Sequence, residues 1–242
     1  MTTEKSLTQF LPLYAQVKQL LVQRLIDNTW APGMSLPSEN RLASELNVSQ
    51  GTVRKALDEM AAEKLVVRRQ GLGTFVPEHT QEHALFHFFR LVNLDDQQQL
   101  PESETLSVEN MEANELELKR LGLRAGDLVT RVVRLRKLDA QPVIYEILSV
   151  PQAMFPLLAE KQPLPNTLYS LYQRGYGISV VKAVERLKAV SAGVEEVEHL
   201  QVEAGTPLLE IERTACALNG NAIELRVSRC LTEHHQYMVE LI

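Results

Sequence analysis

Apolar positions recur at helical spacing over Leu13–Asn28, where Val17, Leu20, Leu21 and Leu25 mark one stripe interleaved with Arg24. Pro12 suits the entry to that helix, and Ala31-Pro32-Gly33 breaks the chain beyond Trp30. Ser38 then reads as the N-cap of a short helix through Leu46, with Leu42, Ala43 and Leu46 facing inward and Asn47 ending it in the left-handed region. Ser49 caps the next helix, whose buried stripe is Val53, Ala56, Leu57 and Met60. The short runs Leu65–Arg69 and Thr74–Val76 predict a two-stranded ribbon around Gln70-Gly71-Leu72-Gly73, since glycines permit a tight turn and a close approach of backbone to a partner. Two helices joined by so few residues must cross steeply, and the first turn of the second is then free to enter a major groove.

Beyond a polar segment at Pro77–His83, read as a linker, the pattern becomes mixed. Strands are expected at Ala84–Val92, Glu104–Met111, Leu128–Leu138, Val143–Val150, Ile178–Val190, Leu208–Leu218, Ala222–Leu231 and Tyr237–Leu241, the last finishing the sheet. Helices are expected at Ala113–Leu121, Met154–Ala159, Asn166–Arg174 (capped by Asn166 and ended near Gly175) and Val194–Leu200. Asp139-Ala140-Gln141-Pro142 and Asn219-Gly220 mark hairpin turns. The expected class is α+β: residues 1–76 as one domain, 77–83 as the linker, and 84–242 as a mainly antiparallel sheet with helices on a face.

Composition changes this picture little. The 242 residues leave room for two modest domains, and 45% apolar content is ordinary for a globular chain. No run approaches the ~18 apolar residues of a membrane span, and MTTEKSLTQF lacks a signal-peptide core, so no membrane partner and a cytoplasmic protein are expected. Cys216 and Cys230 lie in apolar strand-like segments and read as buried thiols rather than a redox pair. The net charge of −6 is uneven: Met1–His79 carries nine Lys/Arg against eight Asp/Glu, about +1, and the rest carries −7. An acidic second domain does not forbid phosphate binding by a locally basic face of the first.

That face is the start of the second helix of the pair. Ser49, Gln50, Gly51, Thr52, Arg54 and Lys55 fill its first turn and a half, where amides and hydroxyls hold phosphates, cations add charge and Gln50 is able to read a base edge. Arg68 and Arg69 stand at the base of the ribbon, in reach of the sugar-phosphate backbone or minor groove. Alone, the helix equally suits an ordinary capped helix with a solvated face. Pro12-Leu13-Tyr14, Pro32-Gly33, LPSE at Leu36–Glu39, VSQGTVRKAL at Val48–Leu57 and RRQGLGTFV at Arg68–Val76 together resemble the GntR family of bacterial transcription regulators. The resemblance implies a winged helix-turn-helix that binds double-stranded DNA at a palindromic operator as a homodimer. It implies DNA contacts at Ser49, Gln50, Thr52, Arg54 and Gly71, with Asn40 or Arg41 in the preceding helix, and Gly73 completes the wing tip. Many members have Arg where this chain has Gln50; glutamine favours adenine.

Residues 84–242 resemble the UTRA domain of the family's HutC branch, through FFRL at Phe88–Leu91, RLRKLDAQP, Ile144-Tyr145-Glu146, LYSLYQRGYGI, PLLEIERTA and IELRVSRC followed by Tyr237. The resemblance implies a chorismate-lyase-like fold that binds a small effector. Arg134 and Arg136, two apart on one strand face, have the spacing to clamp an anionic group. Glu146, Glu224, Arg226, Ser228 and Tyr237 complete a candidate polar pocket, and by resemblance Tyr172 and Glu185 join it. Cross-strand ion pairs on an exposed sheet face are the plain alternative.

The chain reads as an effector-responsive regulator, most naturally a repressor. An enzyme using Glu146 with Tyr237 or Glu224 as acid and base would be a lyase or isomerase, but no nucleophile motif, phosphate loop or metal-ligand set supports it. A purely architectural DNA-binder is the other reading. His79, His83 and His87 have helical spacing, yet the segment reads as a strand and no Cys or carboxylate cluster completes a metal set.

Overall fold

Local capping chemistry sets the order of the N-terminal helices. The computed structural model describes residues 11–78 and 88–240, and the chain divides into two units, Met1–Glu78 and His79–Ile242. In the first, α1 (Leu13–Ile26) buries Val17, Leu21 and Leu25. Leu20, expected in the same stripe, is 53% exposed, because the covered face follows the i, i+4, i+8 row of those three residues. The helix stops at Ile26, short of Asn28, which takes φ 53°. Helix α2 (Glu39–Leu46) starts at Ser38, whose hydroxyl accepts the Arg41 amide at 3.3 Å, and ends at Asn47 with φ 53°. Helix α3 (Gln50–Ala62) starts at Ser49, whose hydroxyl accepts the Thr52 amide at 3.1 Å, and buries Val53, Ala56, Leu57 and Met60.

Strand β1 (Val67–Arg69) pairs antiparallel with β2 (Gly73–Phe75) in the register Arg69↔Gly73. It begins two residues later than predicted, because Lys64 at φ 60° uses the intervening residues to leave α3. The segment before α2 runs against β2, with Leu36 donating to the Thr74 carbonyl at 2.8 Å and Val76 to that of Met34 at 2.9 Å. The ribbon is thereby tied to the helical core rather than left as a free hairpin.

The second unit is built around one six-stranded antiparallel sheet of order β4-β5-β6-β9-β8-β7. Its strands are β4 (Glu102–Glu112), β5 (Leu128–Leu138), β6 (Gln141–Pro151), β7 (Val180–Ser191), β8 (Pro207–Ala217) and β9 (Ala222–Cys230). Strand β3 (Leu91–Asn93) pairs with β10 (His235–Tyr237) in a separate two-stranded sheet. The predicted C-terminal strand therefore does not finish the main sheet, whose edges are already β4 and β7. The part of the Ala84–Val92 strand before Phe88, most of the linker and all three linker-region histidines lie outside the described residues.

The large sheet is a repeat. Strand, short helix, strand, strand occurs as β4-α4-β5-β6 and again as β7-α6-β8-β9, with α4 at Glu115–Leu121 and α6 at Val194–Leu200. Each helix carries a glutamate at its third position that accepts the N-cap amide: Glu117 from Asn114 at 2.7 Å, Glu196 from Gly193 at 2.9 Å. Both helices cover one face, packing Leu121 against Val129 and Leu225, and Leu200 against Leu135, Tyr145 and Leu208. The opposite face is covered by α5 (Leu168–Tyr176), where Phe155, Tyr169 and Tyr172 pack on Val132, Leu148 and Ile223.

Three predicted features differ. Met154–Ala159 is not a helix, since Pro156 interrupts it and Leu157 adopts φ 60° ahead of a single 3-10 turn at Leu158–Glu160. Asn166 does not cap α5: its amide donates to the Pro101 carbonyl and its oxygen accepts the Ser103 hydroxyl, both at 2.8 Å, so the helix begins two residues later. It ends at Gly177 with φ 68°, past the predicted Gly175. Cys216 and Cys230 are both free thiols, the second fully buried and the first half-buried.

Glu117 is buried and also accepts Arg131 at 2.9 Å and the Ser149 hydroxyl at 2.5 Å. Glu117→Ala leaves both without a partner and should cost about 3 kcal/mol in urea unfolding. Glu196→Ala should cost clearly less, because Arg229 is more exposed and keeps Glu210 at 3.0 Å. Equal losses would contradict this account.

Candidate functional site

Every head residue nominated from sequence lies at the surface, on three elements that face one another. Gln50, Thr52, Arg54 and Lys55 come from the start of α3, Asn40 and Arg41 from the start of α2, and Arg68 to Gly73 from the ribbon. Glu39, Asn40, Gln50, Arg68, Gly71 and Gly73 line one open groove. At its rim Gly71 (φ 73°) and Gly73 (φ 115°) allow the ribbon tip, which carries Leu72 at 71% exposure. Ser49 and Thr52 share a hydroxyl–hydroxyl bond of 2.8 Å in addition to the cap. Lys55 lies over the Tyr14 ring at 3.9 Å and Arg69 over Phe75 at 4.6 Å, so both cations are steered by aromatic faces.

The residue that joins these elements is Glu39, the last residue of the LPSE motif. Glu39 accepts from Gln50 Nε2 at 3.2 Å, Arg54 Nε at 2.9 Å and an Arg68 terminal nitrogen at 3.1 Å. Burial pushes its carboxyl up, but those hydrogen bonds from Arg68, Arg54 and Gln50 outweigh it and hold the pKa below the usual carboxylate range. Arg68 also bridges Asp58 at 2.7 Å and the Arg54 carbonyl at 3.2 Å, fastening the ribbon to α3.

In the second unit the face under α5 interrupts its apolar pattern with charge. On β5, Arg134 and Arg136 follow Val132; β6 contributes Glu146, β9 contributes Glu224, Arg226 and Ser228, β8 contributes Arg213, and β7 contributes Glu185. Arg134 donates through Nε and a terminal nitrogen to one Glu146 oxygen at 3.0 and 2.5 Å. The other oxygen takes Arg226 at 3.3 Å and Ser228 at 3.1 Å. Glu224 accepts Arg226 at 3.0 and 2.9 Å, Tyr169 at 3.2 Å and Tyr172 at 2.8 Å. Glu185 accepts Arg213 at 2.6 Å and the Tyr237 hydroxyl. All nine nominated residues thus fall in or beside one buried network, where an exposed face of cross-strand pairs was the alternative.

The electrostatics are one-sided. Burial would raise Glu146, yet Arg226, Arg134 and Arg136 hold it far below the carboxylate range. Burial pushes Tyr169 and Tyr237 up to about 12, the first beside Glu224, the second through its bond to Glu185, so both stay protonated. Four arginines (134, 136, 213, 226) meet three carboxylates (146, 185, 224), leaving one positive charge. Arg136 is the member least compensated. It is 6% exposed, its link to Glu146 is 3.7 Å long, and its buried Nε has no hydrogen-bond partner among the described residues. Burial lowers its guanidinium pKa to about 9, which still leaves it charged at neutral pH.

Arg136 opens on a cleft lined also by Phe88, Pro101, Asn166, Thr167, Tyr169, Arg213 and Arg226. Of the nine nominated residues only Arg136 and Arg226 line it. Arg134 and Arg136 have the spacing of a clamp, but Arg134 is buried and engaged by Glu146, and Tyr172 is fully buried against Glu224. Arg213 and Tyr169 were not nominated. Arg213 was legible by the same rule as Arg134, since it interrupts the Leu209-Ile211-Ala215-Ala217 face of β8. Tyr169 and the start of α5 carried no such signal, because a helix docking across a sheet is a tertiary event.

Comparison with known proteins agrees with both halves. Residues 13–76 match the model of the bacterial regulatory proteins of the gntR family, and residues 96–236 match the UTRA domain. The histidine utilization repressor of Pseudomonas putida is 30% identical over 84% of this chain and 81% of its own. The transcriptional repressor NagR of Bacillus subtilis is 27% identical over 88% of each. Among solved structures, the ligand-binding domain of a regulator assigned to the GntR family in Bordetella bronchiseptica aligns with TM-score 0.59 and 30% identity over 64% of this chain and 98% of that one. PhnF of Mycobacterium smegmatis shares the fold at TM-score 0.56 over 93% of this chain and 99% of that one. These relatives are transcriptional regulators, which sets aside the acid–base enzyme reading of Glu146, Glu224 and Tyr237. The chain belongs to the gntR family of bacterial regulatory proteins, as a DNA-binding transcription regulator that carries a UTRA domain.

Proposed function

We propose that the protein is a homodimeric repressor whose hold on a palindromic operator is released by a small anionic metabolite. The observation that carries the effector class is Arg136: a buried, charged guanidinium at a cleft, whose Nε has no hydrogen-bond partner among the described residues and whose ion pair to Glu146 is 3.7 Å long. A buried cation without a full set of acceptors is costly, and a bound carboxylate or phosphate relieves that cost. Arg213 and Arg226 supply further cationic walls, and Thr167, Leu168 and Tyr169 bring the N-terminal end of α5 to the same cleft. Phe88, Leu100 and Pro101 provide apolar cover for the remainder of a small molecule. The repressor sense follows the named roles of the Pseudomonas and Bacillus relatives.

The head reads DNA with the α3 start and the wing, two heads meeting half-sites about one helical turn apart. Release follows from coupling between the two sites, and by linkage the operator must weaken effector binding by the same factor.

A thermal-shift screen of small carboxylates, sugar phosphates and phosphonates should find anions that stabilise the wild type and neutral analogues that do not. Arg136→Ala should lose at least about tenfold in affinity for the anion by calorimetry, the worth of charge-assisted hydrogen bonds. Wild-type affinity in that variant would sink the assignment. On DNA from upstream of its own gene, Arg54→Ala should abolish a mobility shift that wild type gives at the same protein concentration. The wild-type shift should weaken steeply with salt. A salt-independent shift, or one retained by Arg54→Ala, would contradict the reading.

A further inference from the structure

Glu39 is only 18% exposed at its side chain, while Arg54 beside it is 57% exposed. One Glu39 oxygen takes both Gln50 Nε2, at 3.2 Å, and Arg54 Nε, at 2.9 Å; the other takes Arg68. A carboxylate only accepts hydrogen bonds, so the Gln50 amide has one permitted orientation toward it: the NH2 group turns in and the carbonyl oxygen turns away. Gln50 is the first residue of α3 and is exposed, so the oxygen is the end left to an incoming base edge.

We propose that Glu39 is a positioning residue that sets base specificity by fixing the flip of the Gln50 amide. The proposal rests on the reading that Gln50 faces a base in the major groove. With the nitrogen held by Glu39, Gln50 leads with an acceptor and selects a base that offers a donor. Adenine and cytosine offer an amino group in the major groove, whereas guanine and thymine offer acceptors only. The second N–H of the same amide remains beside the oxygen, and adenine places its N7 acceptor next to its amino group, so adenine is matched at both ends. Without Glu39 the amide turns over freely, and the flipped form offers its donor to guanine or thymine. Glu39 also occupies Arg54 Nε, which leaves the two terminal nitrogens of that guanidinium to project, and it restrains Arg68 at the base of the wing. Its negative charge therefore lowers raw attraction to phosphate while sharpening the choice of base.

The test is selection by the full-length protein from a random double-stranded DNA pool, followed by binding to the selected duplex and its single-position variants. In wild type, one position per half-site should prefer adenine over guanine by at least about fivefold. Gln50→Ala should erase the preference at that position, which identifies it. Glu39→Gln should erase the preference at the same position and leave total affinity for DNA unchanged or higher, since a negative charge is gone. In a Gln50→Ala background, Glu39→Gln should change nothing further at that position. A merely structural role for Glu39 would lower affinity for every duplex alike, and that result would overturn the proposal. So would a Glu39→Gln protein that keeps the preference removed by Gln50→Ala. If Gln50→Ala alters no position, Gln50 reads no base, and the proposal falls together with the reading beneath it.

Discussion

Glu146 and Glu224 are carboxylates buried under α5, and much of the second unit's site is arranged to make that tolerable. An uncompensated buried charge would cost several kcal/mol, so each oxygen must find a cation or a hydroxyl. The strands that supply those partners come from both halves of the unit: Arg134 reaches Glu146 across the β5–β6 hairpin, whereas Arg226 reaches it from β9, across the centre where the two repeated halves meet. Tyr169 and Tyr172 then tie α5 to Glu224 on the same face. The network thus specifies register between the halves as well as the placement of the helix that walls the cleft. With Glu146 and Glu224 engaged by Arg134 and Arg226, Arg136 is left over at the cleft, and the proposal of an anionic effector rests on that surplus.

The head uses a similar device at its surface. Glu39 gathers two side chains from α3, Gln50 and Arg54, and one from the wing, Arg68, onto a single carboxylate at the start of α2. Long cationic side chains lose rotamer freedom when they bind DNA. Holding Arg54 and Arg68 in place beforehand means that part of that loss is already incurred in folding. The two carboxylate hubs differ in exposure and hence in consequence. Glu146 is buried beneath α5, while Glu39 lines the open groove of the head, where it holds Gln50, Arg54 and Arg68.

Local chemistry was legible from the residues. Ser38 and Ser49 act as caps because their hydroxyls accept a first-turn backbone N–H, and Asn47 because asparagine tolerates the left-handed conformation that ends a helix; neither needs tertiary context. The wing glycines and the Asp139-Ala140 turn were legible for the same reason, although Ala140 at φ 63° shows the strand pair imposing an unfavourable conformation. Tertiary competition hid the rest. Asn166 has the side chain of a cap, but Pro101 and Ser103 outbid the helix for it. Leu20 has the period of a core residue, but α1 is covered along a neighbouring row. The candidate pocket was half legible: charge interrupting an apolar strand face marked Arg134, Arg136 and Glu146, but only the packing of α5 reveals which of them meets the cleft and which lies beneath it.

The most direct measurement joins the two units. Fluorescence anisotropy of labelled upstream DNA would be followed for full-length wild type and for Arg136→Ala, each titrated with an anion that stabilises the wild type. The account predicts that both proteins bind the DNA alike without the anion, and that the anion releases wild type while leaving Arg136→Ala bound. Release of both proteins at the same anion concentration would contradict it.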